Sequence, residues 1–337
     1  MKRITTAVLV FSWLPQWFFI AWCRNHPLWV DHYYGNTLYP WLQSARIYFL
    51  ERLAFSFGDL IYLALLSGLG VLVIHFRKKL FQNLWGRLFQ GMALLAVVHL
   101  FYQLSWGLNY YRTPLAVHQN IPLEYEEWEL ESTLALLIQK TESLHDQLSV
   151  SDSTPVVFPL RKQDYIRLLG NTPAKKSLWS WPLTYMGYAG YLNPFTGEAQ
   201  VNSLLPMLSF IPTAAHEKGH QEGIAAENEA NFHAFLTTYQ HDNKHIRYAA
   251  YCFALRYCWS ALYRLNPGCA NERTQKLRSG IRKEYQAQQA FWNAHRNPLQ
   301  PILDKVYDRF LKANGQAAGQ KSYSQVVALL VAYQTEL

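Results

Sequence analysis

Three long runs of uncharged, mostly apolar residues cluster before residue 112, and they restrict this chain more than anything else in it. Ile4–Cys23 spans 20 residues, Leu60–Phe76 spans 17 and Leu88–Tyr111 spans 24. As helices, each is long enough, or nearly so, to cross the hydrocarbon core of a bilayer. Trp17, Trp22, Tyr62, Trp106, Tyr110 and Tyr111 lie toward the ends of these runs, where amphipathic rings prefer the membrane–water interface. Three buried core helices are the alternative, but their clustering at one end of a 337-residue chain argues against it. The expected spans are about 4–23, 57–76 and 88–111, giving a membrane domain over 1–111 and a second domain over 112–337.

Charge placement predicts the orientation. Lys2 and Arg3 precede the first run, and Arg77, Lys78, Lys79 and Arg87 crowd the short connection between the second and third. Short basic loops stay cytoplasmic. The N-terminus is therefore expected inside the inner membrane and the second domain in the periplasm. No small-x-small cleavage site follows the first run, so it is read as an uncleaved anchor. The net charge of +8 is partly this topology signal. No basic stripe accompanies a recognition motif, so nucleic acid is not an expected partner, whereas the lipid bilayer is. Cys23, Cys252, Cys258 and Cys269 lack C-x-x-C spacing and are expected as mainly buried thiols.

Beyond the spans the chain reads as mainly α. Helices are expected over 122–148, 204–220, 246–265, 271–294, 299–313 and 322–336. Strand and turn signals concentrate in 155–200. Tyr188–Gln200, with Asn193-Pro194 and Thr196-Gly197 between aromatic residues, reads as a β-hairpin. That hairpin either packs against the following helix or offers an edge to which a peptide adds as a further strand.

The following helix carries His216-Glu217-Lys218-Gly219-His220, an H-E-x-x-H run. Histidines at i and i+4 project from one helical face and can reach one metal ion. Glu217 lies about 100° further round the helix, placed to take a proton from water without being forced to ligate. This is the residue pattern of a zinc-dependent hydrolase, with Glu217 as general base. Gly223 can close the helix in a left-handed turn, and a new helix is expected near Ala225. Zinc needs a third protein ligand. Glu227, Glu229 and His233 compete for that place. Glu227 is favoured, because it shares a face with Asn231, which could accept an imidazole N–H from a liganding histidine. Tyr188, Tyr191, His233 and Tyr248 are candidates for stabilising an oxyanion.

Several segments together resemble the bacterial membrane proteins of the Bacteroidetes-type domain-of-unknown-function 3810 family. They are Tyr33-Tyr34, Leu38-Tyr39-Pro40, Phe55–Leu60, Trp106–Arg112, Pro194–Ala199, His216–His220 with Glu227–Phe232, Tyr307, Leu311–Gly315 and Ser322-Tyr323. The resemblance covers nearly the whole chain and implies a membrane topology and a site, but no substrate. A looser likeness concerns the site alone. Glu227-Asn228-Glu229-Ala230-Asn231 is similar to the E-x-x-A-D element of gluzincin membrane proteases, whose first glutamate binds zinc. Asn231 stands where that element has aspartate, and only six residues separate His220 from Glu227.

The expected fold is thus three N-terminal transmembrane helices followed by a helical, zincin-like extracytoplasmic domain with a small hairpin or sheet before the H-E-x-x-H helix. The expected function is zinc-dependent hydrolysis of a peptide or protein substrate, with His216, His220 and Glu227 on the metal. Two rivals remain at this stage. One is a non-catalytic zinc protein of the envelope, which requires a fourth ligand such as His233 or Glu229. The other is a transport or signalling component with a vestigial site, which requires polar residues lining the spans.

Overall fold

In the computed structural model, described for residues 2–76, 83–170, 174–316 and 325–334, the chain is mainly helical. It forms two compact units. The first holds Met1–Thr113 together with Asn193–Glu198, and the second holds Pro114–Leu192 and Ala199–Leu337.

The first unit contains three helical segments long and apolar enough to cross a membrane: Ile4–Arg24, Phe57–His75 and Leu84–Ser105. Their apolar side chains face outward. Ile74 is 70% exposed and Leu65 is 63% exposed, a surface that suits hydrocarbon and not water. The first segment breaks at Ser12, between helices Lys2–Phe11 and Trp13–Arg24. Pro15 explains the break, since its ring crowds the carbonyl four residues back and it has no N–H to donate. The third span departs from expectation. It runs from Leu84 to Ser105 and stops where Trp106 turns away at φ −159°. Gly107–Tyr111 then forms a separate 3-10 turn, so the span starts four residues earlier than position 88 and ends six before 111. Among the basic residues that set the expected orientation, Arg77, Lys78 and Lys79 lie outside the described residues.

Polar side chains staple these spans. His99 Nδ1–H donates to Gln16 Oε1 at 2.8 Å and His99 Nε2 accepts from Gln103 Nε2 at 3.3 Å. Gln16 Nε2 donates to the Ala96 carbonyl at 3.2 Å. Such bonds hold helices together where apolar packing alone gives no preference over lipid. The connection after the first span is also helical, a π-helical stretch Val30–Leu38 running into Tyr39–Leu50. Asp31 fastens it by pairing with Arg112 Nε at 3.2 Å and accepting the Thr113 N–H.

The turn Asn193–Glu198 counts with this unit for a specific reason. The Glu198 carboxylate accepts the N–H groups of Phe57 at 3.1 Å and Gly58 at 2.7 Å. These are orphan donors at the N-terminus of the helix Phe57–Phe76, where a negative charge also meets the positive end of the helix dipole.

In the second unit, helices Glu127–Leu148 and Lys244–Leu265 form the main hydrophobic core, with Leu130, Leu134 and Leu137 packing among Tyr248, Leu255 and Leu262. Asn243 caps the second of these, its Oδ1 accepting from His245 N at 2.9 Å and Ile246 N at 3.3 Å. The first begins at Glu127, five residues later than expected, with a reciprocal cap between Glu126 and Glu129. The expected helix 271–294 is two helices, Pro267–Gln275 and Ser279–Ala294. Arg278 occupies the break, where it pairs with Asp146 and Asp152. The last helix is Val326–Ala332; the expected ends at 322 and 336 lie outside the described residues, as do Ala318-Gly319 and Ser322-Tyr323. Cys23, Cys252 and Cys258 are buried free thiols, and Cys269 is a half-buried one.

A three-stranded sheet precedes the H-E-x-x-H helix. β1 (Lys175–Lys176) pairs in parallel with the central strand β3 (Ala199–Val201), and β2 (Gly190–Leu192) pairs antiparallel to β3 at the other edge. The hairpin expected over 188–200 is β2 and β3. β1 and the short helices Lys162–Leu168 and Ser180–Met186 carried too few periodic residues to be read from sequence.

Replacing Glu198 by alanine removes the acceptor of two helix N-terminal N–H groups, that of Gly58 being buried. The expected cost is about 2 kcal/mol, with Glu198→Gln retaining part of the contact. Denaturation of the detergent-solubilised protein, followed by tryptophan fluorescence, measures it, and equal stability of all three proteins rules the cap out.

Candidate metal centre

The H-E-x-x-H residues lie in the C-terminal half of helix Met207–Gln221, and Glu227 opens the next helix, Glu227–Leu236. Between them the chain makes a tight reversal. Gly223 takes φ +92°, the left-handed region that costs a side chain about 1–2 kcal/mol. Its N–H bonds the His220 carbonyl at 2.9 Å, and the Ile224 N–H bonds the Gly219 carbonyl at 3.0 Å. These two bonds are a Schellman closure. The closure has a second effect: it aims the Ile224 carbonyl back at His220, whose Nδ1–H donates to it at 2.7 Å. That bond engages the Nδ1 proton and turns His220 Nε2 toward Glu227.

His216, His220 and Glu227 then converge. Each is buried, and their ligand atoms all lie within 4.8 Å of one another. Glu227 Oε2 is 3.2 Å from His216 Nε2 and 3.5 Å from His220 Nε2. Tetrahedral zinc with bonds near 2.1 Å sets its ligands about 3.4 Å apart. The spacing therefore fits a metal ion. The chemistry fits as well, because a metal ion that replaces the proton on His220 meets an imidazole nitrogen and a carboxylate oxygen facing each other. Glu227 Oε2 is buried against these two imidazoles.

The electrostatics ask for the same positive charge. Burial alone opposes a charged His220, but the Glu227 carboxylate overrides it and lifts the imidazole to about 9. Burial likewise opposes a charged Glu227, yet the two histidines hold it well below the ordinary carboxylate range. A bound divalent cation supplies the charge that a proton on His220 otherwise provides.

Glu217 is not one of the three converging groups. Burial pushes its carboxyl up to about 7 against the pull of His216 and His220, and its Oε2 has no partner. It packs beneath β2. A Cβ on Gly190 falls 2.6 Å from Glu217 Oε1 and 2.7 Å from the Gln200 carbonyl, so only glycine lets the edge strand pass this close.

The second glutamate oxygen has a partner that the sequence reading missed. Tyr307, in helix Gln300–Ala313, donates its hydroxyl to Glu227 Oε1 at 2.8 Å. Tyr188 packs edge-on against the Tyr307 ring at 5.5 Å. Tyr307 figured only among the segments of the family resemblance, and eighty residues of chain separate it from Glu227.

Other expectations need correction. Asn231 does not receive a liganding imidazole N–H. The Ile224 carbonyl takes that of His220, His216 Nδ1 is buried without a partner, and Asn231 lies against Tyr257 with its own amide nitrogen unpartnered. Glu229 is turned away to accept the Leu115 N–H at 2.7 Å. His233 pairs with Glu222 at 3.4 Å. Tyr248 donates to Glu284 in the core. Each is drawn off by a neighbour distant in sequence or by the turn geometry at Gly223.

Residues 34–331 match the family described as "Protein of unknown function (DUF3810)". The chain belongs to the DUF3810 family. No curated protein and no solved structure matches it. In this DUF3810 protein, then, the three converging side chains have to be interpreted from their own chemistry.

Two outcomes follow for metal affinity. If the three groups take a divalent ion, it must displace the proton from His220, so affinity is expected to rise with pH, by about tenfold per unit, and to level off above pH 9; competition with a chelator of known affinity measures the slope, and a flat profile excludes His220 as a ligand. Gly223→Ala strains the reversal and misdirects the Ile224 carbonyl, so affinity for the ion is expected to drop about tenfold with about 1 kcal/mol of stability.

Proposed function

We propose that this protein is a membrane-anchored, zinc-dependent metallopeptidase. The observation that carries the reading is a buried carboxylate 3.2 and 3.5 Å from two buried imidazoles, all three ligand atoms lying within 4.8 Å of one another, with a further buried carboxylate, Glu217, beside an edge strand. Two imidazoles and one carboxylate suit zinc and leave a coordination position open. When bound, zinc supplies Lewis acidity toward water and the substrate carbonyl.

The protein's own groups do the rest. His216, His220 and Glu227 hold the ion, the Ile224 carbonyl fixes the orientation of one imidazole, and Tyr307 fixes the glutamate. Glu217 takes a proton from the attacking water and passes it to the leaving amine as the C–N bond breaks. Its raised carboxyl, near neutrality, suits a group that must both accept and return a proton. β2 pairs only with β3 among the described residues, and an extended peptide running along it is held against Glu217 by backbone hydrogen bonds. The three apolar helices anchor the chain in the bilayer. On this reading the short basic connections stay cytoplasmic and the second unit works in the periplasm, at the inner membrane.

A closed structural zinc site needs four protein ligands. The engagement of Glu229 and His233 elsewhere weighs against that alternative. The hydrogen bonding of Gln16, His99 and Gln103 to one another weighs against a polar transport path.

The test compares the wild type with Glu217→Gln and Glu227→Ala. One zinc per chain is expected in the wild type and in Glu217→Gln, with zinc lost or weakened in Glu227→Ala. Peptide hydrolysis is expected to fall by about 10²–10⁴ in Glu217→Gln despite full metal content. Absence of zinc from folded wild type supplied with the metal overturns the proposal.

A further inference from the structure

A recess of about 110 Å³ lies one helical turn from Glu217. Thr213, on its wall, precedes Glu217 by four residues and His216 by three, so it sits on the adjoining turn of the same helix. Long helical side chains lean back toward the N-terminus, which brings the Glu217 carboxylate toward the level of Thr213. Ala189, also on the wall, immediately precedes Gly190, the residue packed against Glu217. The recess is thus flanked by both elements that hold the proposed general base.

Its walls are apolar where Leu208, Phe253 and Trp292 contribute, and cationic where Arg256 does. The volume is smaller than the ~150 Å³ of cavities that admit benzene, and leaves room for an aliphatic side chain of about leucine size. Arg256 is exposed. It lies over the Tyr257 ring at 5.4 Å, hydrogen-bonds the Tyr257 side chain and faces the Tyr285 phenol, and no carboxylate pairs with it among the described residues. Glu284, the buried acid that precedes Tyr285, is already bound to Tyr248 and the Val156 N–H. A guanidinium without a carboxylate partner, beside a recess that is apolar on one side, suits a ligand that joins an apolar group to a carboxylate.

We propose that the recess receives the side chain of an apolar C-terminal residue of a peptide and that Arg256 holds its terminal carboxylate. The inference rests on the peptidase reading of the neighbouring metal centre and gives it a substrate class: peptides trimmed from a free, apolar C-terminus. Thr213 and Trp292 set the size of the residue accepted, and Arg256 sets the requirement for a free carboxylate.

Binding, measured apart from turnover, tests it. Full-length, zinc-loaded Glu217→Gln in detergent is titrated calorimetrically with N-acetyl-L-leucine, its amide and N-acetylglycine. The acid is expected to bind about tenfold tighter than the amide and about tenfold tighter than N-acetylglycine. Adding Arg256→Gln removes the first difference, and adding Thr213→Leu, which fills the recess, removes the second. Melting temperature and zinc content verify that each variant is folded. Equal binding of acid and amide, equal binding of the leucine and glycine ligands, or no binding of any overturns the proposal. Hydrolysis of an internally quenched peptide by the wild type is scored separately. Selective binding without Glu217-dependent hydrolysis defeats only the peptidase reading, whereas hydrolysis with unselective binding defeats only the recess.

Discussion

The Glu227 carboxylate is 3% exposed, and taking an ion out of water costs several kcal/mol unless other groups compensate it. Much of the surrounding structure serves that compensation. Two imidazoles face one of its oxygens and a tyrosine hydroxyl binds the other. The left-handed turn at Gly223 brings the Glu227 helix back so soon after His220 that six intervening residues suffice. It also directs a backbone carbonyl onto His220 and so determines which imidazole nitrogen is available. A change to any one of these contacts leaves a buried charge less well matched, which couples the centre to the integrity of the fold.

The scaffold that carries this centre owes its rigidity to apolar packing. Helices Glu127–Leu148 and Lys244–Leu265 bury leucines, tyrosines and two cysteines around which the shorter helices settle. The small sheet adds little to that core. Its position matters more, because β2 passes over Glu217 with no room for a side chain at Gly190. One glycine thus sets the distance between a buried carboxylate and an edge where an extended chain can pair.

The membrane-spanning unit follows a different rule. Its apolar surface faces outward, and its specificity comes from sparse polar contacts: Gln16 with His99 and Gln103, Asp31 with Arg112, and Glu198 on the first N–H groups of a span. In hydrocarbon, helices gain nothing from burying leucine against leucine instead of lipid, so polar pairs and caps select the arrangement. This accounts for the retention of buried polar side chains in an otherwise apolar segment.

Local pattern made the fold class and the outline of the site legible. Apolar runs of membrane-crossing length identify spans, and a histidine pair at i and i+4 has to share a helical face wherever the helix lies. Gly223 and the helix after it could be read because a left-handed closure and a following N-terminus are local events. The end of the third span was misread because uncharged residues continue through Gly107–Tyr111 after the helix has stopped. Sequence spacing could not reveal that Tyr307 reaches Glu227, that Glu229 is claimed by the Leu115 N–H, or that the Ile224 carbonyl takes the place expected for Asn231. Those contacts depend on which helices pack together and in what register. Composition and periodicity decide which residues lie on a helix and on which face, while tertiary packing alone decides what each face meets.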